Sequence, residues 1–461
     1  MKGNGRLHFV GIGGIGMSAI ARILLSRGDR ISGSDVHDSP LIEELRAAGA
    51  RISIGHRARN VNGARAVVIS SAIEPQNPEF LAACEKGLPI YRRGEMLAQL
   101  MRGRRGIAIA GTHGKTTTTA MAAAILSAAG LDPTILIGGE AVAWGSNAKD
   151  GSGEWFLTEA DESDGSFMEL EPAIAVVTNI ENDHIASDAE LPRLRSSFAS
   201  FLRHLPADGV AAIGIDNAES AALTRLVRVA RTVTFGMSAA ADVHAINVRY
   251  QDFGSSFDVV AGGKSSGRVE LRVPGEFNVV NALGAIVVGL ALRVRFSTIK
   301  EALSTFGGVR RRFEVLASTA QVTIVDDYAH HPTEVKATIA AAREYHSGSV
   351  LVAFQPHRYT RTAYLARDFA RALAGVQRVF LTPVYAASEA PIDGVSERSI
   401  GEPLRALGAD VEYVPTVDAL PQRILACAPA GSLVLMLGAG DISDVAAVLA
   451  QRVKEYARVP L

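Results

Sequence analysis

The chain of 461 residues carries only two cysteines, Cys84 and Cys427, far apart and without zinc-type spacing. Such usage suits a reducing cytoplasm, with both thiols as small core residues, and argues against a disulfide framework. An excess of either charge is also missing, since 47 Lys and Arg stand against 48 Asp and Glu, a net charge of −1. That balance gives no global attraction to nucleic acid or to a membrane surface. No run of eighteen apolar residues occurs, and the N-terminus shows no charged region leading into an apolar core and a cleavage site. A soluble, cytoplasmic protein without membrane insertion is expected. What the chain does have is apolar bulk, 48% of its residues, enough to bury substantial cores. Its length predicts roughly three domains of ordinary size.

Three segments each open by alternating apolar strands with helix-like stretches, an α/β pattern of parallel βαβ units. The first runs to about Gly103, with strands at Leu7–Val10, Arg30–Ser34, Arg51–Ile54 and Ala66–Ile69. Arg102-Gly103-Arg104-Arg105 reads as a linker. The second holds strands near Trp155–Glu159 and Ala173–Asn179, a polar β-rich stretch over Val243–Val273 and a helix over Asn278–Leu292. After Gly307-Gly308 a third begins, with strands at Val322–Asp326, Val350–Phe354, Val379–Thr382, Val411–Val414 and Leu433–Leu437, a doubly wound pattern. The divisions fall at 1–103, 104–308 and 309–461.

The most informative stretch is Ile107-Ala108-Ile109-Ala110 followed by Gly111-Thr112-His113-Gly114-Lys115-Thr116-Thr117 and an alanine-rich helix over Thr118–Ala129. Backbone N–H groups at such a turn cradle phosphate oxygens, the lysine reaches the outer phosphates and a hydroxyl ligates Mg²⁺. The full template asks for glycine where Ile109 stands, so this is a shortened relative of the P-loop. Hydrolysis of, or transfer from, a nucleoside triphosphate is expected.

A second glycine turn, Gly11-Ile12-Gly13-Gly14-Ile15-Gly16, lies between strand and helix, with Asp35 at the end of the next strand. The glycines admit a pyrophosphate and the acid contacts a ribose; a dinucleotide and a UDP-sugar both satisfy that physics. Glu159-Ala160-Asp161-Glu162-Ser163-Asp164 follows an apolar strand, where an acid either ligates Mg²⁺ or sits in a solvated loop. His184 ends the string Val176–His184 and is either a second ligand or a structural histidine. Two further loops, Asp326–Glu334 and Phe354–Thr362, stand at successive strand ends, as they would around one crevice. The second carries Arg358 and Arg361, spaced to clamp a carboxylate or phosphate.

Taken in order, these residues resemble the Mur ligases of peptidoglycan synthesis. The likeness takes in His8–Ser18, Ser32-Gly33-Ser34-Asp35, Ser70-Ser71-Ala72-Ile73, Arg92-Arg93 with Glu95-Met96-Leu97, the phosphate loop, the acidic box, the Asn179–His184 string and both late loops. It covers essentially the whole chain. The resemblance implies three domains: a Rossmann-like N-terminal one for the UDP-substrate, a central P-loop ATPase-like one with a mixed sheet, and a Rossmann-like C-terminal one that closes on the others. It implies an ATP-dependent amide ligase that joins L-alanine to UDP-N-acetylmuramate through an acyl phosphate, with ATP and Mg²⁺ (or Mn²⁺) as cofactors. The partners would be those small molecules alone, without nucleic acid, in a monomer or weak homodimer.

By motif, the resemblance assigns Gly11, Gly13, Gly14, Ile15, Gly16, Asp35, Ser70, Ser71 and Arg92 to the UDP-substrate. Gly111, Thr112, His113, Gly114, Lys115, Thr116 and Thr117 would bind ATP, with Asn278 and Asn281 on the adenine side and Arg312 and Asp327 reaching across between domains. Thr116 and Glu159 would hold one Mg²⁺ and His184 a second. Tyr328, His331, Arg358 and Arg361 would line the amino-acid and phosphate crevice. Lys115, Glu159, His184, Arg312 and His331 are the expected catalytic set, with His184 and His331 both open as aids to amine deprotonation.

The family pattern is broken at Phe277, where histidine is usual, and at Ile185-Ala186, where leucine-aspartate is usual. No lysine lies between His184 and His204; Ala199 stands where members adding later residues place a carbamoylated lysine, which favours the L-alanine-adding type. Ser163 after Asp161-Glu162, in place of tyrosine, argues against a ligase that attaches a ready-made tripeptide. A nicotinamide dehydrogenase built on Gly11–Gly16 would leave the phosphate loop and both late loops unexplained.

Overall fold

A computed structural model describes residues 5–182, 190–228 and 231–456. Three sheets follow one another along the chain, each wrapped by helices. The first is all-parallel, with strands in the spatial order Arg51–Ile54, Ile31–Asp35, Arg6–Val10, Ala64–Ile69, Ile90–Arg92. The third runs Glu314–Ser318, Val322–Asp327, Ser432–Leu437, Val350–Phe354, Arg378–Leu381, Val411–Tyr413, and only the Glu314–Ser318 edge is antiparallel.

Between them lies a ten-stranded mixed sheet. Its middle is parallel, with Arg105–Ala110 flanked by Ile174–Val177 and Trp155–Glu159. Strands buried on both faces read as unbroken apolar runs. Ile107, Ala108, Ile109 and Ala110 are accordingly all fully buried. The stretch expected only to be β-rich is an antiparallel meander of Val243–Gln251, Gly254–Ala261 and Lys264–Leu271, which extends this sheet at one edge.

Two expectations change at element ends. The helix after the phosphate loop starts at Lys115 instead of Thr118, because Gly114 at φ 81° turns the chain straight into it. The helix expected from Asn278 spans Glu276–Ala291. Arg102–Arg105 is not a bare linker either. Arg104 donates to the Thr134 hydroxyl and to the carbonyls of Gly151 and Gly153, and Arg105 opens a strand. The carboxyl ends of Arg6–Val10, Arg105–Ala110, Trp155–Glu159 and Val322–Asp327 bring their loops to a common crevice, the position at which open α/β sheets bind ligands.

Candidate active site

The phosphate loop is shaped by what touches it. Gly111 has φ 127°, and a Cβ there would collide with the Thr178 hydroxyl. A Cβ on Gly114 would collide with the Asn281 side chain. The next strand end holds the loop in place. Asn179 Oδ1 accepts from the His113 N–H at 2.8 Å, and the Thr178 hydroxyl donates to the His113 carbonyl at 2.7 Å.

Two cavities meet at this loop. One, of 390 Å³, runs from Gly14, Ile15, Gly16, Ser70 and Ser71 of the first sheet past Lys115, Thr116 and Glu159 to Arg312, Tyr328 and Glu334. The other, of 780 Å³, lies on the loop's far flank against Thr117, Asn281, Phe277, Met237 and Asp327. His113, Gly114, Arg312 and Glu334 line both. The arrangement offers a polyphosphate seat between a chamber of adenosine size and a chamber reaching the first glycine turn.

Charge is concentrated where the chambers meet. Lys115 Nζ donates to the carbonyls of Gly111 and Thr112 and to the Glu162 carboxylate, 2.9 Å away. Burial opposes its charge, but Glu162, Asp161 and Glu159 outweigh burial and raise its pKa. The Thr116 hydroxyl donates to Glu159 Oε2 at 3.2 Å, and the Gly138 N–H donates to the other oxygen. Burial nevertheless pushes the Glu159 pKa up, because Lys115 and these donors compensate only in part. A half-buried carboxylate short of positive charge beside a hydroxyl is an all-oxygen donor set of the kind hard divalent cations take. Burial also lifts Asp327 to about 6, against Arg312 and the N–H groups of Ala329 and Phe313. Glu334 goes the other way: burial is overcome by His330, His113 and Arg312, which hold it well below the ordinary glutamate value.

The residues marked by sequence divide by position. Gly11 and Gly13 shape the first turn but are not on the cavity wall, and Asp35 is spent on the turn itself, accepting from the Gly13 and Val36 N–H groups at 2.8 Å each. Arg92 is exposed at the head of the helix Arg93–Met101. Its neighbour Arg93 takes the inward position, reaching Asp161 at 3.1 Å and Asp164 at 2.8 Å, and ties the first segment to the acidic box. One step along a helix start decides which of two adjacent arginines faces in.

Asn281 lines the larger chamber, whereas Asn278 sits behind it, donating to the Pro274 carbonyl. Tyr328 lies under Arg312, whose guanidinium carbon is 4.9 Å from the ring centroid. His331 is buried at the N-terminus of the helix Pro332–Tyr345, its ring 5.1 Å from that of His113. Arg358 and Arg361 are on neither cavity wall. Arg358 is exposed, and Arg361 is buried and donates to His357 Nδ1 at 3.3 Å. The His357 ring in turn meets His330, which does line the smaller cavity. His184 lies outside the described residues. Ala199 is buried in the core on the helix Leu191–Leu202. Arg93, Glu162 and Glu334 complete the site without having been singled out, although all three stand inside the strings that carried the resemblance.

Family models match three consecutive stretches: the Mur ligase family catalytic domain over residues 6–105, the Mur ligase middle domain over 109–289 and the Mur ligase glutamate ligase domain over 311–440. The chain is 46% identical to a UDP-N-acetylmuramate–L-alanine ligase of Solibacter usitatus, over 97% of this chain and 95% of the relative. It is 48% identical to one of Acidithiobacillus ferrooxidans, over 96% of each. Among solved structures, the UDP-N-acetylmuramate–alanine ligase of Thermotoga maritima superposes with a TM-score of 0.85 at 30% identity, covering 98% of this chain and all of that one. A murein peptide ligase from Psychrobacter arcticus shares the fold, with a TM-score of 0.74 at 23% identity over 99% of this chain and all of that one. With the three sheets in this order and full-length relatives of this likeness, the chain belongs to the Mur ligase family.

Proposed function

We propose that this chain is an ATP-dependent ligase that forms the amide bond between L-alanine and the lactyl carboxylate of UDP-N-acetylmuramate, in peptidoglycan precursor synthesis. The observation that carries the reading is a cavity walled by all three segments, with the phosphate loop in its middle, in a chain this similar to L-alanine-adding ligases. We assign 1–103 to the UDP-sugar, 104–308 to ATP and 309–461 to the amino acid and closure.

In this reaction a substrate carboxylate oxygen attacks the γ-phosphorus of ATP and ADP leaves. The alanine nitrogen then attacks the acyl carbon, loses its proton, and phosphate departs with the acyl oxygen. Two anions must approach each other, so positive groups belong where charge develops. Lys115 supplies one once it exchanges Glu162 for phosphate oxygens, and Arg312 supplies another from the third segment. Thr116 and Glu159 would hold Mg²⁺, which would neutralise phosphate charge when bound. His184 is proposed as a further Mg²⁺ ligand, so His184→Ala should raise the Mg²⁺ concentration at half-maximal rate. No helix among the described residues is long and apolar enough to cross a membrane, and with ATP as substrate we place the enzyme in the cytoplasm, as a monomer or weak homodimer.

The test is an ADP-release assay crossing UDP-sugars with amino acids and a muramyl tripeptide. Turnover should require UDP-N-acetylmuramate, L-alanine, ATP and Mg²⁺ together. Turnover with the tripeptide and none with L-alanine would overturn the reading in favour of a recycling ligase.

A further inference from the structure

We propose that His113, Glu181 and His331 form a separate metal site, distinct from the Mg²⁺ positions and selective for a borderline transition-metal dication such as Zn²⁺ or Co²⁺. It would clasp the third segment against the central one. Each of the three residues offers a ligand atom, and these atoms lie within 4.8 Å of one another. His113 and Glu181 belong to the phosphate loop and the loop after Ile174–Val177, while His331 heads a helix of the third segment.

The spacing suits a metal. His113 Nε2 is 3.4 Å from Glu181 Oε2. That is long for a hydrogen bond. It is about the edge between two ligands of a tetrahedral ion with bonds near 2.1 Å. His331, whose ligand atom lies within 4.8 Å of the others, must move in by up to about 1.4 Å to reach the same edge. Loading through Nε2 also needs the His331 tautomer that releases its cap bond from the Thr333 N–H, a contact already stretched to 3.4 Å.

The surroundings are those that orient metal ligands. His113 Nδ1 lies 3.2 Å from Glu334 Oε1, a carboxylate–histidine pair that aims the opposite nitrogen at the site. The Thr333 hydroxyl donates to Glu181 Oε2 at 2.7 Å and fixes that carboxylate. Two imidazoles and one carboxylate favour Zn²⁺ or Co²⁺, whereas Mg²⁺ prefers an all-oxygen set such as Thr116 with Glu159. Glu181 and His113 also border the 780 Å³ chamber, so an ion here would stiffen its mouth. Because the site is read by metal binding alone, the proposal stands apart from the ligase reading.

The experiment titrates Co²⁺ into the full chain with Mg²⁺ in excess and follows visible absorption and thermal unfolding. The wild type should develop the intense visible bands of four-coordinate Co²⁺, lose them to added Zn²⁺, and gain thermal stability on loading. His113→Ala, Glu181→Gln and His331→Ala should each lose the bands. Glu334→Gln should weaken binding about 10- to 100-fold, as loss of an orienting carboxylate does. Metal-free unfolding curves identify any variant that fails to fold, and three independent ligand variants keep the result decisive. Absence of the bands in the wild type, or their survival in both His113→Ala and His331→Ala, would overturn the proposal.

Discussion

Two buried carboxylate networks, one in the first sheet and one around the phosphate loop, are solved in opposite ways. Glu79 is fully buried, yet its oxygens receive the Ser34 hydroxyl, the Asn60 amide and the Arg57 N–H, with His8 Nε2 3.1 Å away. Burial alone would raise it, and these partners bring it down to about 2. Asp327 is buried and Glu159 half-buried, but at both burial wins over their partners and both are raised. A carboxylate whose work is structural has its lone pairs filled by the fold itself. Glu159 has only the Thr116 hydroxyl and the Gly138 N–H, a shortfall of the kind a bound cation would make good, whereas Asp327 accepts from the Phe313 and Ala329 N–H groups and the Thr338 hydroxyl and is raised by burial.

The sharpest way to break this contrast is to remove the cation on the ligand side. Lys115→Ala should lower kcat by about a hundredfold or more, the cost of losing one preorganised charge at a transferring phosphoryl group. The chain should stay folded with a lowered unfolding temperature, because the lysine packs no core but Glu162, buried beside it, loses its cation. Steady-state kinetics beside a thermal melt checks both halves. A near-wild-type rate would show that this loop is not the ATP site.

Glu79→Gln should do the reverse. The amide cannot accept all the bonds the carboxylate accepts, and hydrogen bonds to a charged group contribute about 1.5–3 kcal/mol each. A loss of about 2 kcal/mol in stability is expected, with KM for ATP unchanged. The pH dependence follows from the sign of the shift. A glutamate lowered to about 2 in the fold from 4.5 contributes stability that is fully present above pH 4.5 and is lost as the pH falls toward 2. Denaturant titrations across that window should be steep for the wild type and flatter for the variant. Equal slopes would remove Glu79 from its structural role.

The two networks were not equally visible in the sequence. Glycines, Lys115 and strand-end acids mark the ligand side because phosphate binding restricts residue type at each position. His8 and Ser32-Gly33-Ser34 were visible only as part of a resemblance, since their partner Glu79 is 71 residues away from His8 and nothing local points to it. The strands Thr134–Ala141 and Ser146–Lys149 went unread because Gly138-Gly139 and Trp144-Gly145 interrupt any alternation. The pairing of Lys115 with Glu162, and the preference for Arg93 over Arg92, depend on how segments dock. Docking is a tertiary property, and a single strand-turn-helix pattern carries no record of it.

The smallest expected effect separates burial from function at one residue. Asp327 is lifted to about 6 from 3.8, the reverse of the Glu79 case. Its ionisation therefore costs the fold: no penalty exists below pH 3.8, and the penalty grows until it is complete above pH 6. Asp327→Asn removes the charge but keeps one acceptor for the N–H groups of Phe313 and Ala329. Ionising Asp327 in the fold would then cost about 3 kcal/mol above pH 6. Giving up one backbone bond offsets part of that, and a net gain of about 1 kcal/mol is expected above pH 6. Below pH 4 the variant should instead be slightly less stable than the wild type. Turnover should fall at every pH, because Arg312 loses the nearby anion whose charge it favours. Melting temperatures of both proteins from pH 4 to pH 8 measure the effect. A difference that stays constant across that range would mean that Asp327 is not held out of its ordinary titration, and that its burial resembles that of Glu79 after all.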